Sequence, residues 1–253
     1  MLAIKEYKDL LSCNLNDTDF TDISESILKE ENDIYFDGIK NDWNHVYGTV
    51  PSLAGWKSPG YEYPNIDPCH QKLMDVLKQK KPKSVCEVGA GAGKVSKYCY
   101  DLLGPDVKLT SVEGSPSHRE QMKENFSKSS DIIAPQIKVV ADIVEGVAQD
   151  LPLEDNSVEL VYTCTVAMHI PFLMIPQAFK EFARVSSKYI VHVENINDKI
   201  NAVVMGKQKS PLNKLCIDYK KMYELLGVKT LSYERFDDPI APCQYICYVG
   251  EKM

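Results

Sequence analysis

Three alternate glycines, Gly89, Gly91 and Gly93, follow the acidic residue Glu87 near the end of an apolar run in SVCEVGAGAGKVSKY (Ser84–Tyr98). Glycines at this spacing let a backbone turn tightly and approach a ligand with no Cβ in the way. A helix opening directly afterwards offers its free N-terminal amides to the same ligand. Three kinds of cofactor use such loops: a dinucleotide pyrophosphate, a nucleoside triphosphate, or a nucleoside with no phosphate. The dinucleotide fingerprint G-x-G-x-x-G, counted from Gly89, fails because Lys94 stands at its last position. The phosphate-cradling G-x-x-x-x-G-K-[ST] also fails, since Val88 replaces its first glycine and Val95 its hydroxyl residue. A carboxylate two residues before the first glycine would repel a pyrophosphate and suits a cationic ligand. The loop therefore reads as a cradle for a cationic, phosphate-free cofactor.

The elements that must hold this loop alternate strand and helix from Ser84 onward. SVCEV is a buried-type strand and KVSKYCYDLL a helix. VKLTSVE (Val107–Glu113) is a second strand, and SHREQMKENF a helix with Ser117 and Glu120 in capping-box spacing. IKVVAD, SVELVYT and KYIVHVEN supply three further strands, with PFLMIPQAFKEFARV a helix despite its internal Pro176. Such alternation builds a parallel sheet with helices on both faces. After a helix over Asn213–Leu225, VKTLSYERF and YICYVGEK follow with no helical pattern between them, which predicts an antiparallel closing pair through Asp237–Pro242. A doubly wound sheet binds ligands at the carboxyl ends of its strands, where the loop after Val88 lies.

Taken together, the loop and the strand order resemble those of the class I S-adenosylmethionine-dependent methyltransferases, over roughly Cys69 to the C-terminus. The resemblance implies a Rossmann-like seven-stranded sheet and S-adenosylmethionine as cofactor, a sulfonium joined to adenosine without phosphate. It places Glu87, Gly89, Gly91 and Gly93 beside the methionine part and Glu113, ending the second strand, on the ribose hydroxyls. Asp142 in VVADI takes the acidic position after the third strand that meets the adenine amino group. LPLEDNSVELVYT resembles the family's turn into the fourth strand, with Asp155 and Asn156 in the turn and Thr163 bordering the cofactor. The stretch between Asp142 and Leu151 is longer than usual, which leaves Asp150 as an alternative adenine contact. QAFKEFARVSSKYIVHVE and the final hairpin match the elements that close such sheets.

Methyl transfer from a sulfonium is an in-line displacement, so alignment of nucleophile, methyl carbon and sulfur is the main requirement. A base is needed only if the acceptor must lose a proton. His169, just past the fourth strand, is the candidate: its unperturbed pKa suits that task, while passive lining of the pocket is the competing reading. Glu194 and Asn195, ending the fifth strand, are expected to bind the acceptor, and His192 to pack within the sheet. The segment after the fourth strand, TCTVAMHIP, lacks the Asn/Asp-Pro-Pro-aromatic motif of adenine- and amide-directed enzymes. Cys164 reads as a small core residue.

The preceding residues, 1–68, read as a helical and aromatic unit capping a core over 69–253. Trp43, Tyr47, Trp56, Tyr61 and Tyr63 fall among turn formers, and aromatic faces stabilise cations. His45 and Tyr47 in WNHVYG are candidate acceptor contacts. Composition limits the partners. The chain of 253 residues has a formal net charge of -7 and no long basic run, which argues against nucleic acid. Met1–Asn14 is too charged for a secretion signal and no apolar run spans a bilayer, so a cytoplasmic protein with reduced cysteines and no membrane partner is expected. The eight cysteines form no C-x-x-C pair, and no metal site is expected. The expected activity is methyl transfer to an oxygen or nitrogen of a small metabolite, such as a sugar or nucleotide-linked biosynthetic intermediate. The alternatives are a non-catalytic S-adenosylmethionine-binding partner subunit and an NAD-dependent oxidoreductase.

Overall fold

Ser84–Val88 (β1) is buried along four of its five residues, as a strand covered on both faces must be. It lies at the centre of a seven-stranded sheet seen in a computed structural model that describes residues 67–127, 139–170, 174–195, 219–239 and 244–253. The unit at 1–66, including His45 and Tyr47, lies outside these residues.

In chain order the elements are α1 (Pro68–Lys80), β1, α2 (Lys94–Leu103), β2 (Lys108–Glu113), α3 (Pro116–Ser127), β3 (Ala141–Glu145), β4 (Val158–Cys164), a 3₁₀ turn (Ala167–His169), α4 (Ile175–Val185), β5 (Ser186–Asn195), α5 (Tyr219–Glu224), β6 (Val228–Asp237) and β7 (Gln244–Lys252). The spatial order is β3-β2-β1-β4-β5-β7-β6, with β1 to β5 parallel and β7 antiparallel to both of its neighbours. The chain steps outward from β1 to β3 and then returns to β4 on the other side of β1. That reversal opens a crevice at the carboxyl ends of β1 and β4. The fold is the doubly wound α/β sheet with a closing antiparallel hairpin that the sequence predicts.

Two apolar layers hold the sheet. On one face Leu73 and Leu77 of α1, Cys99 of α2 and Met122 of α3 pack against Val85, Leu109 and Tyr162. On the other, Phe179 and Phe182 of α4 and Tyr223 of α5 pack against Val161, Ile190 and Tyr248. Truncating a fully buried phenylalanine such as Phe182 costs about 3–5 kcal/mol. Pro176 sits in the first turn of α4, where its missing N–H leaves no helical bond unmade, so this proline starts the helix rather than breaking it.

Two local readings are corrected. The cap of α3 is Ser115, whose Oγ accepts the His118 N–H at 3.3 Å; Pro116 opens the helix, so Ser117 is already inside it. The third strand starts where the sequence pattern ended it. Its ladder with β2 runs from Leu109↔Ala141 to Glu113↔Glu145, and Val140 is 70% exposed before the pairing begins.

Candidate cofactor and acceptor site

The glycines after β1 are required for two different reasons. Each has a positive φ, +74° at Gly89, +54° at Gly91 and +83° at Gly93. A Cβ on Gly89 would come within 2.7 Å of Val166, and one on Gly93 within 2.6 Å of Met122 and 2.7 Å of Phe126. Among the described residues, a Cβ on Gly91 would meet nothing within 4 Å. Gly89 and Gly93 therefore let the loop pack on the protein, whereas Gly91 is the point where backbone faces open space that a ligand can fill. The loop is anchored by Gly89 and Ala90 N–H groups donating to Val112 O at 2.8 and 3.1 Å.

Glu87 and Glu113, the two carboxylates of the loop, are both buried but differently held. Glu87 Oε2 accepts the Tyr162 hydroxyl at 3.0 Å and a close hydrogen bond from Ser96, while burial pushes its pKa up to about 7. It ties the start of α2 to β4 beneath the loop. Glu113 Oε2 accepts the Gly91 N–H at 2.7 Å and Oε1 accepts the Ser115 N–H at 2.8 Å. An ionised carboxylate has about four acceptor positions, so Glu113 keeps capacity for two hydroxyls while it fixes Gly91.

Beyond Glu113, Arg119 Nη1 donates to the carbonyls of Glu113 and Gly114, and Nη2 to Glu145 at 2.8 Å. This guanidinium locks the ends of β2 and β3 together. Asp142, opposite Thr110 and exposed, is the second residue of β3 and stands about 10 Å from its carboxyl end. The acidic residue at the site end is Glu145, a correction that follows from the register. The apparent surplus before Leu151 is β3 itself plus a tight turn closed by the Val147↔Asp150 bridge, with Asp150 exposed.

On the other side of the crevice the polar groups are side chains gathered from distant elements. Thr163 Oγ1 donates to Glu194 Oε1 at 2.6 Å and lies 2.6 Å from His192 Nδ1. A hydroxyl has one hydrogen, so with Glu194 ionised His192 Nδ1 is the donor to Thr163 and its Nε2 accepts from the Tyr223 hydroxyl at 2.5 Å. Burial holds the His192 pKa down to about 3, which keeps the ring neutral, and raises Glu194 to about 7. The Thr163 hydroxyl is thus engaged inside the sheet. Glu194 Oε2 in turn accepts the Ala167 N–H at 3.0 Å, fixing the 3₁₀ turn that carries His169. His169 is half-buried, and burial lowers its pKa to about 4. Asn195 ends β5 and is 8% exposed. Thr165, between β4 and the turn, holds φ +58°, which is rare for a β-branched residue and concentrates strain at this edge of the crevice.

One group of residues escaped the sequence reading. Cys69 and His70 in the first turn of α1 meet Cys164 at the end of β4, all three buried. Their separation in the chain is about the span from α1 to β4, so no local spacing announced them. A hydrogen bond from Cys164 draws the Cys69 thiol down to about 5, against the effect of its burial. Burial opposes protonation of His70, but the Asp67 carboxylate and Cys69 raise it to about 9.

A family model described as a methyltransferase domain matches residues 86–188, from within β1 to the start of β5. Among solved structures the chain is similar to MccD protein, with a TM-score of 0.55 and 14% identity, covering 75% of this chain and 100% of that one. It is similar to geranyl diphosphate methyltransferase in complex with GPP and sinefungin, with a TM-score of 0.53 and 11% identity, covering 72% of this chain and 79% of that one. It is also similar to the [4+2]-cyclase SpnF, with a TM-score of 0.54 and 12% identity, covering 72% and 80%. At these identities the likeness is one of fold. None of the curated proteins compared matches the chain in sequence. Residues 86–188 therefore match a methyltransferase domain, and the match and the fold are consistent with a class I S-adenosylmethionine-dependent methyltransferase and its cofactor.

Proposed function

We propose that the chain transfers the methyl group of S-adenosylmethionine to an oxygen or nitrogen of a small metabolite, with sugars and nucleotide-linked intermediates as the first acceptors to examine. The observation that carries this reading is Gly91: its α-carbon faces open space while Glu113 holds its N–H, so the loop is set for a ligand before one arrives. In this reading the methionine part lies along Gly89 to Gly93 and the ribose hydroxyls meet Glu113. The adenine lies beside the ends of β2 and β3, which Arg119 holds together.

An acceptor lone pair attacks the methyl carbon as the carbon–sulfur electrons pass to sulfur, leaving S-adenosylhomocysteine. Positioning of the two reactants is worth at most about 7–11 kcal/mol. His169, on the turn fixed by Glu194, faces the acceptor. A pKa of about 4 makes it a neutral hydrogen-bond acceptor that orients an O–H or N–H more than it removes the proton. Glu194 and Asn195 close the acceptor side, and His45 and Tyr47 are the further acceptor contacts this reading expects.

Calorimetric titration with S-adenosylmethionine and with NAD, followed by labelled-methyl transfer to metabolite fractions, tests the reading. Micromolar S-adenosylmethionine binding with transfer to a small acceptor is the expected result. NAD binding without S-adenosylmethionine binding would overturn it. Transfer seen only after a second protein is added would make the chain the cofactor-binding subunit of a larger enzyme.

A further inference from the structure

Two thiols and an imidazole from separate parts of the chain meet at one buried point. The ligand atoms of Cys69, His70 and Cys164 all lie within 4.8 Å of one another, and the three residues are 4%, 8% and 7% exposed. Tetrahedral zinc takes sulfur at about 2.3 Å and imidazole nitrogen at about 2.0–2.1 Å, which sets its ligand atoms about 3.5–3.8 Å apart. Elsewhere in the described residues Cys86, Cys99 and Cys247 are buried without such company.

A second observation also points to a ligand. His70 Nδ1 is buried 3.1 Å from Asp67 Oδ2, a pairing that directs Nε2 to serve as the ligand nitrogen. Asp67 stands where an outer carboxylate that orients a metal-bound imidazole is found, and Lys94 Nζ, 3.2 Å from it, holds it there.

We propose that Cys69, His70 and Cys164 bind one Zn²⁺ ion. The ligand set is soft and nitrogen-containing, which selects zinc over the oxygen-seeking magnesium and calcium. Three protein ligands leave the fourth position to water or to a donor atom of an acceptor, the arrangement of a zinc site that is more than structural. The site lies at the carboxyl end of β4, next to the turn held by Glu194. It stands independently of the methyl-transfer reading, because zinc is measured with neither cofactor nor acceptor present.

The test uses the full chain, reduced with a phosphine, loaded with Zn²⁺ and desalted, with metal measured by mass spectrometry. About one zinc per chain is expected, with two sulfur scatterers near 2.3 Å in X-ray absorption. Cys69→Ser and Cys164→Ser are each expected to weaken zinc at least tenfold, while Cys99→Ser keeps it. Sub-stoichiometric zinc in the reduced protein, a sulfur-free shell, or full occupancy in the Cys69→Ser/Cys164→Ser double variant would each overturn the proposal. So would a Cys69–Cys164 disulfide that forms in air in a protein that takes up no zinc after reduction. If the serine variants do not fold, as judged by circular dichroism, the absorption shell of the unaltered protein decides.

Discussion

The two sides of the crevice solve the same problem with different materials. Between β1 and β3 the crevice is built from backbone: the glycine loop held by the Gly91 N–H donating to Glu113, the amides opening α2, and strand ends clamped by Arg119. Between β4 and β5 they are side chains, Thr163, His192, Glu194 and Tyr223, bonded in series through the middle of the sheet. Backbone recognition needs particular residues at close spacing, because only glycine fits where the chain turns with positive φ and touches a ligand. A side-chain series needs only that its members meet in space. In the proposed function the first side serves the cofactor, and the second can be rebuilt for each acceptor without disturbing the loop.

The largest expected effect breaks the backbone side. Gly91→Val puts a side chain into the ligand's space, and S-adenosylmethionine affinity is expected to fall at least about a hundredfold, more than 2.7 kcal/mol. The fold is expected to survive, since the new Cβ meets no atom of the described residues and the positive φ costs about 1–2 kcal/mol. Gly93→Val is the contrasting variant: its Cβ would overlap Met122 and Phe126, so it should lower the melting temperature as well. Retained affinity in Gly91→Val, measured by calorimetry, would mean that the ligand does not use the loop.

Next in size is a pH effect beneath the loop. Glu87 ionises around 4.5 when exposed and near 7 in the fold, because burial penalises its charge. Between those values the folded protein holds the additional proton. The stability that Glu87 contributes is therefore fully present below pH 4.5 and is lost as pH rises through 7. Glu87→Gln can still accept from Ser96 and Tyr162 and carries no titrating proton. Relative to the unaltered protein it should gain up to roughly 3 kcal/mol between pH 4.5 and 8 in urea unfolding. A difference that stays constant with pH would show Glu87 already ionised in the fold.

This contrast also explains what the sequence could tell. Glu87, the three glycines and Glu113 lie together where the sequence puts them, because residue type at fixed short spacing sets the loop, and the β-α alternation predicts the parallel sheet. Asp142 was placed at the wrong end of β3 because VVADI looks equally strand-like along its length; only the ladder with β2 sets where the strand stops. Thr163 and Glu194 sit at strand ends as the pattern suggests, but their bonding depends on a tyrosine in α5 and a histidine across the sheet. Cys69 and Cys164 are nearly a hundred residues apart, so their meeting is a product of topology alone.

On the acceptor side, His169→Ala is expected to lower kcat about 10- to 100-fold while S-adenosylmethionine affinity stays within about twofold, at the lower end of what acid–base residues contribute. His169→Gln separates orientation from proton removal. If the neutral ring only orients the acceptor, glutamine should restore most of the rate. The rate of the unaltered enzyme should then show no limb from this residue above pH 5, since its pKa lies near 4. A limb near 6.5 that disappears in His169→Ala would instead make it a general base exposed to solvent.

The smallest expected effect tests whether the side-chain series works as a unit. Tyr223→Phe removes only the hydroxyl that donates to His192 Nε2, in a pocket where Tyr223 and His192 are both fully buried. The ring stays to pack against Phe179 and Tyr248, so no cavity forms. What is left is a buried acceptor without a donor, worth about 1–2 kcal/mol of stability in urea unfolding. The imidazole can recover by moving its proton to Nε2, but Nδ1 then no longer donates to Thr163, whose hydroxyl must choose between His192 and Glu194. Nitrogen NMR of labelled His192 reads that tautomer directly, and kcat is expected to drop about threefold as Glu194 loosens its hold on the turn bearing His169. An unchanged tautomer with unchanged kcat would show that His192 only fills the sheet, and that the acceptor side is held by Glu194 and the Ala167 amide alone.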